Sequence, residues 1–341
     1  WRLTRIQPES WTVHIIWGLK RVLTAIVMVA FVSTGARSVA AGDSVLDRLV
    51  SVLQEYSVGG TVDVGQVASK AVVRTVDSEA SLVPLNMTNG MVRAGEVSRE
   101  AWSEGLAYYR VTSLDAPAGR ELALRLRDDM SNCVSGAVVD LRDAGGDSAD
   151  AVVAVASCVV PPGIELFRLR HQRSHAVTSC ASASNVTQVA MPLMLIVNSM
   201  TSDAAEILVR TLKGRKGVML VGGSTRGRAC LREWVLVTSN LCVRLVTQVA
   251  ESPMPDVAWT GAAMPDVVSP RGASDSIAVA EVPTKDDPDK PLSERAKADR
   301  ELMRRVSGDP ALGRAVDVLL GLRILTYASG STNASAGSAG L

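Results

Sequence analysis

Two stretches of this chain set polar and small residues where an apolar run gives way to a helical pattern. The first is Asp140-Leu141-Arg142-Asp143-Ala144-Gly145-Gly146, at the end of the apolar run Gly136–Leu141. Glycines at such a junction let backbone N–H groups face a ligand, and a helix start favours negative charge. Gly145 and Gly146 are therefore candidate oxyanion-hole residues, although a simple tight turn needs the same two glycines. The second stretch runs from Val197 to Glu206 and again leads from an apolar run into a helix. Asp203 within it either caps that helix or belongs to a site. A third stretch, Gly222 to Arg228, is glycine-rich but has no phosphate-loop lysine, and reads as a loop between strands.

Other chemistries have little support. The chain holds three histidines. His171 and His175 would share a helix face, but their Arg-rich surroundings read as strand or loop. His14 is near the start. No G-x-S-x-G, Walker A or H-E-x-x-H motif occurs, so no metal or cofactor is expected. The five cysteines, Cys133, Cys158, Cys180, Cys230 and Cys242, contain no C-x-x-C pair. They are either buried free thiols or include one disulfide, with at least one thiol left over. Lys and Arg number 36 against 35 Asp and Glu, which excludes a strongly basic nucleic-acid binder. Aromatic residues make up 4%, so stacking platforms for bases or sugars are not expected and the core must be built from Val, Ala, Leu and Ile.

The surrounding pattern supplies the scaffold. Leu106–Val111, Gly136–Leu141, Met191–Asn198 and Gly217–Val221 read as strands. Gly136–Leu141 is uniformly apolar until its last residues, as a strand buried on both faces requires. Pro117–Met130, Ser148–Cys158 and Ser202–Leu212 read as helices. Val235–Val237 and Leu241–Val249 flank Thr238-Ser239-Asn240 as a hairpin. Alternating strands and helices predict an α/β core whose three strands Gly136–Leu141, Met191–Asn198 and Gly217–Val221 share one sheet. Ser44–Tyr56 and Val64–Val76 read as amphipathic helices.

The amino terminus reads as an export signal. Lys20 and Arg21 precede the apolar run Val22–Val32, and Ser38–Ala41 would suit a signal peptidase. Residues 1–41 are thus a cleaved signal or an uncleaved anchor, the alternative being a cytosolic chain with a buried helix. The expected plan continues with an N-terminal helical segment (42–82), a connector (83–105), a core (106–270), a linker (271–305), a helix (306–326) and a flexible tail (327–341).

Several separated pieces follow one order. Val73–Leu82 resembles the turn before the core in C-terminal processing (tail-specific) serine peptidases. Gly136–Gly146 resembles their strand ending in D-L-R-x-N-x-G-G, one residue shorter. Val197–Glu206 resembles their nucleophile segment and Val221–Arg232 the loop bearing their catalytic lysine. Thr260–Val267 is similar to their G-x-x-P-D segment, and Asp309–Leu320 to their terminal helix. The resemblance covers about 70–320 and implies a crotonase-like α/β core and serine-type peptide hydrolysis outside the cytoplasm. Only 25 positions separate Leu82 from Tyr108, too few for the family's PDZ module.

The resemblance also places the family's catalytic positions, and all three are substituted. The Ser position holds Asp203, the Lys position Arg228 and the Gln position Arg232. Arg stays protonated in proteins, so Arg228 cannot take a nucleophile's proton. A carboxylate at 203 is a poor nucleophile toward amides. Gly145, Gly146 and Ala204 would remain as the oxyanion hole. The leading reading is an exported pseudopeptidase that binds peptide or protein chains, with an active homologue as one candidate partner and no membrane contact beyond an N-terminal anchor. The alternative is an active peptidase with Ser202 or Ser199 as displaced nucleophile and Lys213 or Lys216 as base. A third is an apolar ligand in the cleft. Asp203 and Arg228 are expected to face one another as an ion pair, with Arg232 beside them.

Overall fold

A computed structural model gives the structure of residues 70–75 apart from 72, 80–86, 94–102, 105–269 and 294–336, all within the compact unit Ser69–Leu341. The expected leader and the helix Ser44–Tyr56 lie outside the described residues. Of Val64–Val76, residues 70, 71 and 73–75 are helical.

The fold is mixed α/β, built on two sheets. The larger has the order β11 (Val267–Val268), β8 (Val218–Gly222), β7 (Leu193–Val197), β4 (Gly136–Asp140), β3 (Leu106–Val111), β2 (Val97–Trp102). All neighbours are parallel except the β2–β3 edge pair. The expected three strands thus stand side by side. Their unbroken apolar runs have a direct cause: alternate side chains enter different cores. Ala137, Val139, Leu193, Leu195 and Leu220 face one cluster, under α1 (Ala116–Ser131), α2 (Ala149–Ala156) and α3 (Asp203–Leu212). Val138, Met194, Ile196 and Val221 face the other, under α4 (Glu294–Gly308) and α5 (Pro310–Ala336). At about 25 cal/mol per Å² of apolar surface, two buried faces make this sheet the main store of hydrophobic stabilisation.

The smaller sheet is antiparallel. Its long strand β10 (Leu241–Glu251) pairs with β9 (Cys230–Thr238) along one edge. Its other edge takes β1 (Ser81–Pro84) and then β5 (Glu165–His171), which pairs with β6 (Val177–Ala181). The hairpin around Ser239 and Asn240 is as expected, with longer arms. His171 and His175 lie in the β5–β6 hairpin, so no helix face presents them together. Among the described residues, the five cysteines are free.

Three elements differ from the sequence reading. β2 lies in the stretch read as a connector, because its alternation is interrupted by charged residues that face outward. α4 begins inside the stretch read as a linker and takes up its residues 294–305. Its apolar residues are few and set among charges, and buried Leu302 is its main anchor to the sheet. α5 continues to Ala336, past the expected end near Leu325, through Ser, Gly and Asn residues that weaken helix propensity.

α1 and α2 cross closely at Gly119, where a Cβ would overlap the backbone of Ala151. Gly119→Ala is therefore expected to cost about 2 kcal/mol by overpacking. Gly313→Ala on α5 meets only Val306, at 3.4 Å, and is expected to stabilise by about 0.5–1 kcal/mol. Urea unfolding of the two variants checks the contrast; equal effects would contradict the described packing.

Candidate active site

The site forms where three chain segments meet at the carboxyl ends of β4, β7 and β8. After β7 the chain makes a polar turn and enters α3 with Asp203 in the left-handed region, φ 55°. A non-glycine residue there is strained by roughly 1 kcal/mol and persists only where its surroundings hold it. They do so by three backbone bonds. The N–H of Ser202 donates to the Ala144 carbonyl at 3.0 Å, that of Asp203 to the Arg228 carbonyl at 2.8 Å, and that of Ala204 to the Gly146 carbonyl at 3.2 Å. Gly146, with φ 123°, also lies against Leu114, whose backbone a Cβ would strike.

These bonds gather the expected residues. A Cβ on Gly145 would lie 3.7 Å from Asp203 Oδ2 and 3.8 Å from Ser202 Oγ. The ion pair drawn to Asp203 comes from Arg232, with Nε 3.6 Å from Oδ1 and both side chains nearly buried. Arg228 meets Asp203 through its carbonyl. Arg232, at the position matched to the family's Gln, thus stands beside Asp203, as expected. Ser199 is exposed in the turn before α3.

Two expectations change. The Ala204 N–H is spent on the Gly146 carbonyl, so it is not available to an oxyanion in this arrangement. Lys213 caps the far end of α3, roughly 15 Å along the axis from Asp203 at 1.5 Å per residue, and Lys216 lies in the turn beyond it. Lys213 Nζ donates to the Met264 carbonyl at 2.6 Å. Neither lysine reaches Ser202, and the displaced-serine arrangement lacks the base proposed for it.

Two site residues carry no sequence expectation of their own. Glu206, fully buried on the first turn of α3, binds the loop that follows β8. Its Oε1 accepts from Thr225 Oγ1 at 2.9 Å and from Arg210 Nε and Nη2 at 3.1 and 3.0 Å. Its Oε2 accepts from the N–H groups of Gly227 and Arg228 at 2.9 and 2.7 Å. Arg210 in turn donates to the Gly261 carbonyl, and Thr225 Oγ1 accepts from the Ala263 N–H at 2.8 Å. The G-x-x-P-D-like segment is held here, and Asp266 Oδ2 accepts from the Leu220 N–H at 2.9 Å. The spacing of Glu206 and Arg210, one helical turn apart on an apolar helix, is the sequence signal for this buried pair.

Cys230 is the second. Its Sγ lies 3.4 Å from Asp203 Oδ1 as a donor. Burial, and then the Asp203 charge, push the thiol up to about 12. It is a neutral hydrogen-bond donor at neutral pH. The Asp203 carboxylate is thus met by a guanidinium and a thiol on one oxygen, at the mouth of a helix whose dipole also favours the negative charge.

Residues 105–261 match the family model for peptidase family S41. This segment is similar to peptidase family S41. Among curated proteins, the S41 segment is similar to the carboxyl-terminal-processing protease of Synechocystis sp. (strain ATCC 27184 / PCC 6803 / Kazusa). The two are 23% identical over 165 residues, 48% of this chain and 38% of that protein. Carboxyl-terminal-processing peptidase 2, chloroplastic, of Arabidopsis thaliana is 27% identical over 136 residues, 37% of this chain and 24% of that protein. The matches span well under half the length of either relative. Among solved structures, the photosystem II D1 C-terminal processing protease aligns at 21% identity and TM-score 0.43, covering 52% of this chain and 48% of that one. A lipoprotein from Streptococcus agalactiae aligns at 16% identity and TM-score 0.47, covering 65% and 84%.

The S41 site predicts a hidden thiol. At pH 8, Cys230 is expected to resist alkylation by iodoacetamide in the folded protein, since the thiolate is the reactive form. Asp203→Asn removes the second cause of its raised pKa, so labelling of Cys230 is expected to accelerate severalfold. Mass spectrometry of the labelled peptide measures both rates. Fast labelling in the unaltered chain, or no change on substitution, would contradict the Cys230–Asp203 contact.

Proposed function

We propose that this chain is an exported protein with the crotonase-like core of S41 peptidases that has lost peptide hydrolysis and uses the cleft to bind peptide or protein chains. The observation that carries this is the Asp203–Arg232 pair at the elbow before α3. Hydrolysis by this family's chemistry needs a hydroxyl and a neutral amine, so that a proton can leave the nucleophile as it attacks. A carboxylate at 203 offers no hydroxyl whose proton could leave on attack, and Arg228 and Arg232 cannot accept a proton. The carboxylate is also held by its neighbours, which withdraws charge from the oxygen that would attack. Closure of the Ala204 N–H onto Gly146 removes one donor that would stabilise a tetrahedral oxyanion.

What remains is suited to holding a chain. The elbow keeps its backbone strain although a catalytic serine is absent, and strain of this kind is retained where a surrounding site holds it. The curated relatives are named as carboxyl-terminal processing enzymes, which supports peptide or protein chains as the partners. Export rests on the charge and apolar pattern of residues 20–41. Among the described residues no helix is long and apolar enough to cross a membrane.

The full chain incubated with unstructured peptides and a fluorophosphonate probe tests the reading. Peptide binding without cleavage and without serine labelling is expected. Substituting Asp203→Ser and Arg228→Lys together is expected to leave hydrolysis undetectable, because Arg232 still occupies the nucleophile's side of the cleft. Cleavage accompanied by labelling at Ser202 or Ser199 would overturn the proposal in favour of a displaced nucleophile.

A further inference from the structure

The loop 141–146, which supplies one wall of the site, is bound on a side that peptide chemistry does not require. Asp140, fully buried at the end of β4, accepts from Tyr108 Oη at 2.8 Å and Arg110 Nη1 at 2.7 Å. It also accepts from Arg142, through its N–H at 3.0 Å and its Nη2 at 2.6 Å. Burial alone would raise the Asp140 pKa, but the Arg142 and Arg110 contacts outweigh it and hold the carboxyl below its ordinary value. The same Arg142 Nη2 lies 2.6 Å from Asp309 Oδ2. Asp309 is the residue before α5, and its other oxygen caps that helix, accepting from the N–H groups of Ala311 and Leu312 at 3.1 Å each. One guanidinium thus joins the end of β4 to the start of α5.

The next residues pass this constraint to the elbow. Asp143, at φ 59°, donates its N–H to Asn198 Oδ1 at 3.1 Å and accepts from Asn198 Nδ2 at 2.8 Å. Ala144 and Gly146 then receive the N–H groups of Ser202 and Ala204. From these contacts we infer that the helix pair α4–α5 positions the site loop through Arg142, which makes Arg142 and Asp309 positioning residues for the cleft. A change in how α5 sits on the sheet reaches Asp203 by a chain of named contacts: Asp309, Arg142, Asp143 with Asn198, then Ser202. This inference does not depend on whether the cleft hydrolyses or only binds.

Three amides report the loop geometry because their acceptors exist only in it. Arg142 N–H is bonded to Asp140, Asp143 N–H to Asn198, and Ala144 N–H to the Leu141 carbonyl at 3.1 Å. Asp309→Asn keeps an effective helix cap, since Asn caps as well as Asp, and removes only the charge that Arg142 meets. Hydrogen exchange of the full-length variant is expected to be faster by about fivefold at residues 142–144, with β4 and β7 unchanged. Leu319→Ala loosens α5 where Leu319 packs on Gly136, leaving Asp309 intact. It is expected to speed the same amides in the otherwise unaltered chain and to add nothing in the Asp309→Asn background. Unchanged exchange at 142–144, uniform acceleration across β4 and β7, or additive effects of the two substitutions would each overturn the inference.

Discussion

The site depends on one buried carboxylate. Glu206 carries its charge in a place with no exposure, and a buried charge is tolerated only where donors surround it. Arg210, Thr225 and two backbone N–H groups meet that need together. In doing so they pull the loop after β8 onto α3. The Arg228 carbonyl is thereby placed to receive the Asp203 N–H, and β9 starts in the register that brings Cys230 and Arg232 to the Asp203 carboxylate. Losing Glu206 would leave the Arg210 guanidinium buried and two loop amides without their acceptor, so the geometry is strongly coupled.

On this frame the chain combines a retained backbone with altered side chains. Asp203 occupies a strained elbow whose backbone is pinned by Ala144, Gly146 and Arg228. A hydroxyl there would present a proton to a neutral base. The residues present instead form a charge pair with a thiol beside it. Opposite charges in contact stabilise each other as long as both remain, and this works against the proton movement that peptide hydrolysis requires. The same contact network joins the cleft to the C-terminal helices through Arg142 and Asp309.

Much of this was legible in the sequence, for identifiable reasons. β3, β4, β7 and β8 are apolar on both faces, so their runs stand out whatever packs on them. The junctions at Gly145-Gly146 and at Asp203 stand out because small and polar residues interrupt apolar patterns. The order of these pieces exposed the family resemblance. What stayed hidden depends on long-range pairing. The role of Glu206 is not legible, since nothing local shows that a loop some twenty residues later will satisfy it. Cys230 reads as one more small apolar residue until β9 is laid beside α3. The Arg232–Asp203 contact depends on strand register, which sequence spacing does not give. β2 and α4 do not stand out in the sequence because charged residues dilute their short apolar patterns.

A double-mutant cycle on Asp203 and Arg232 tests most directly whether an ion pair has taken the place of a proton-transfer pair. Asp203→Asn, Arg232→Met and the combined variant are unfolded in urea beside the unaltered chain, and the coupling free energy is taken from the four stabilities. A nearly buried pair is expected to give a coupling of about 2–4 kcal/mol, with the double variant more stable than the two single losses added together. A coupling within about 0.5 kcal/mol of zero would mean that the two side chains do not interact, and the account of the site as a locked charge pair would fail.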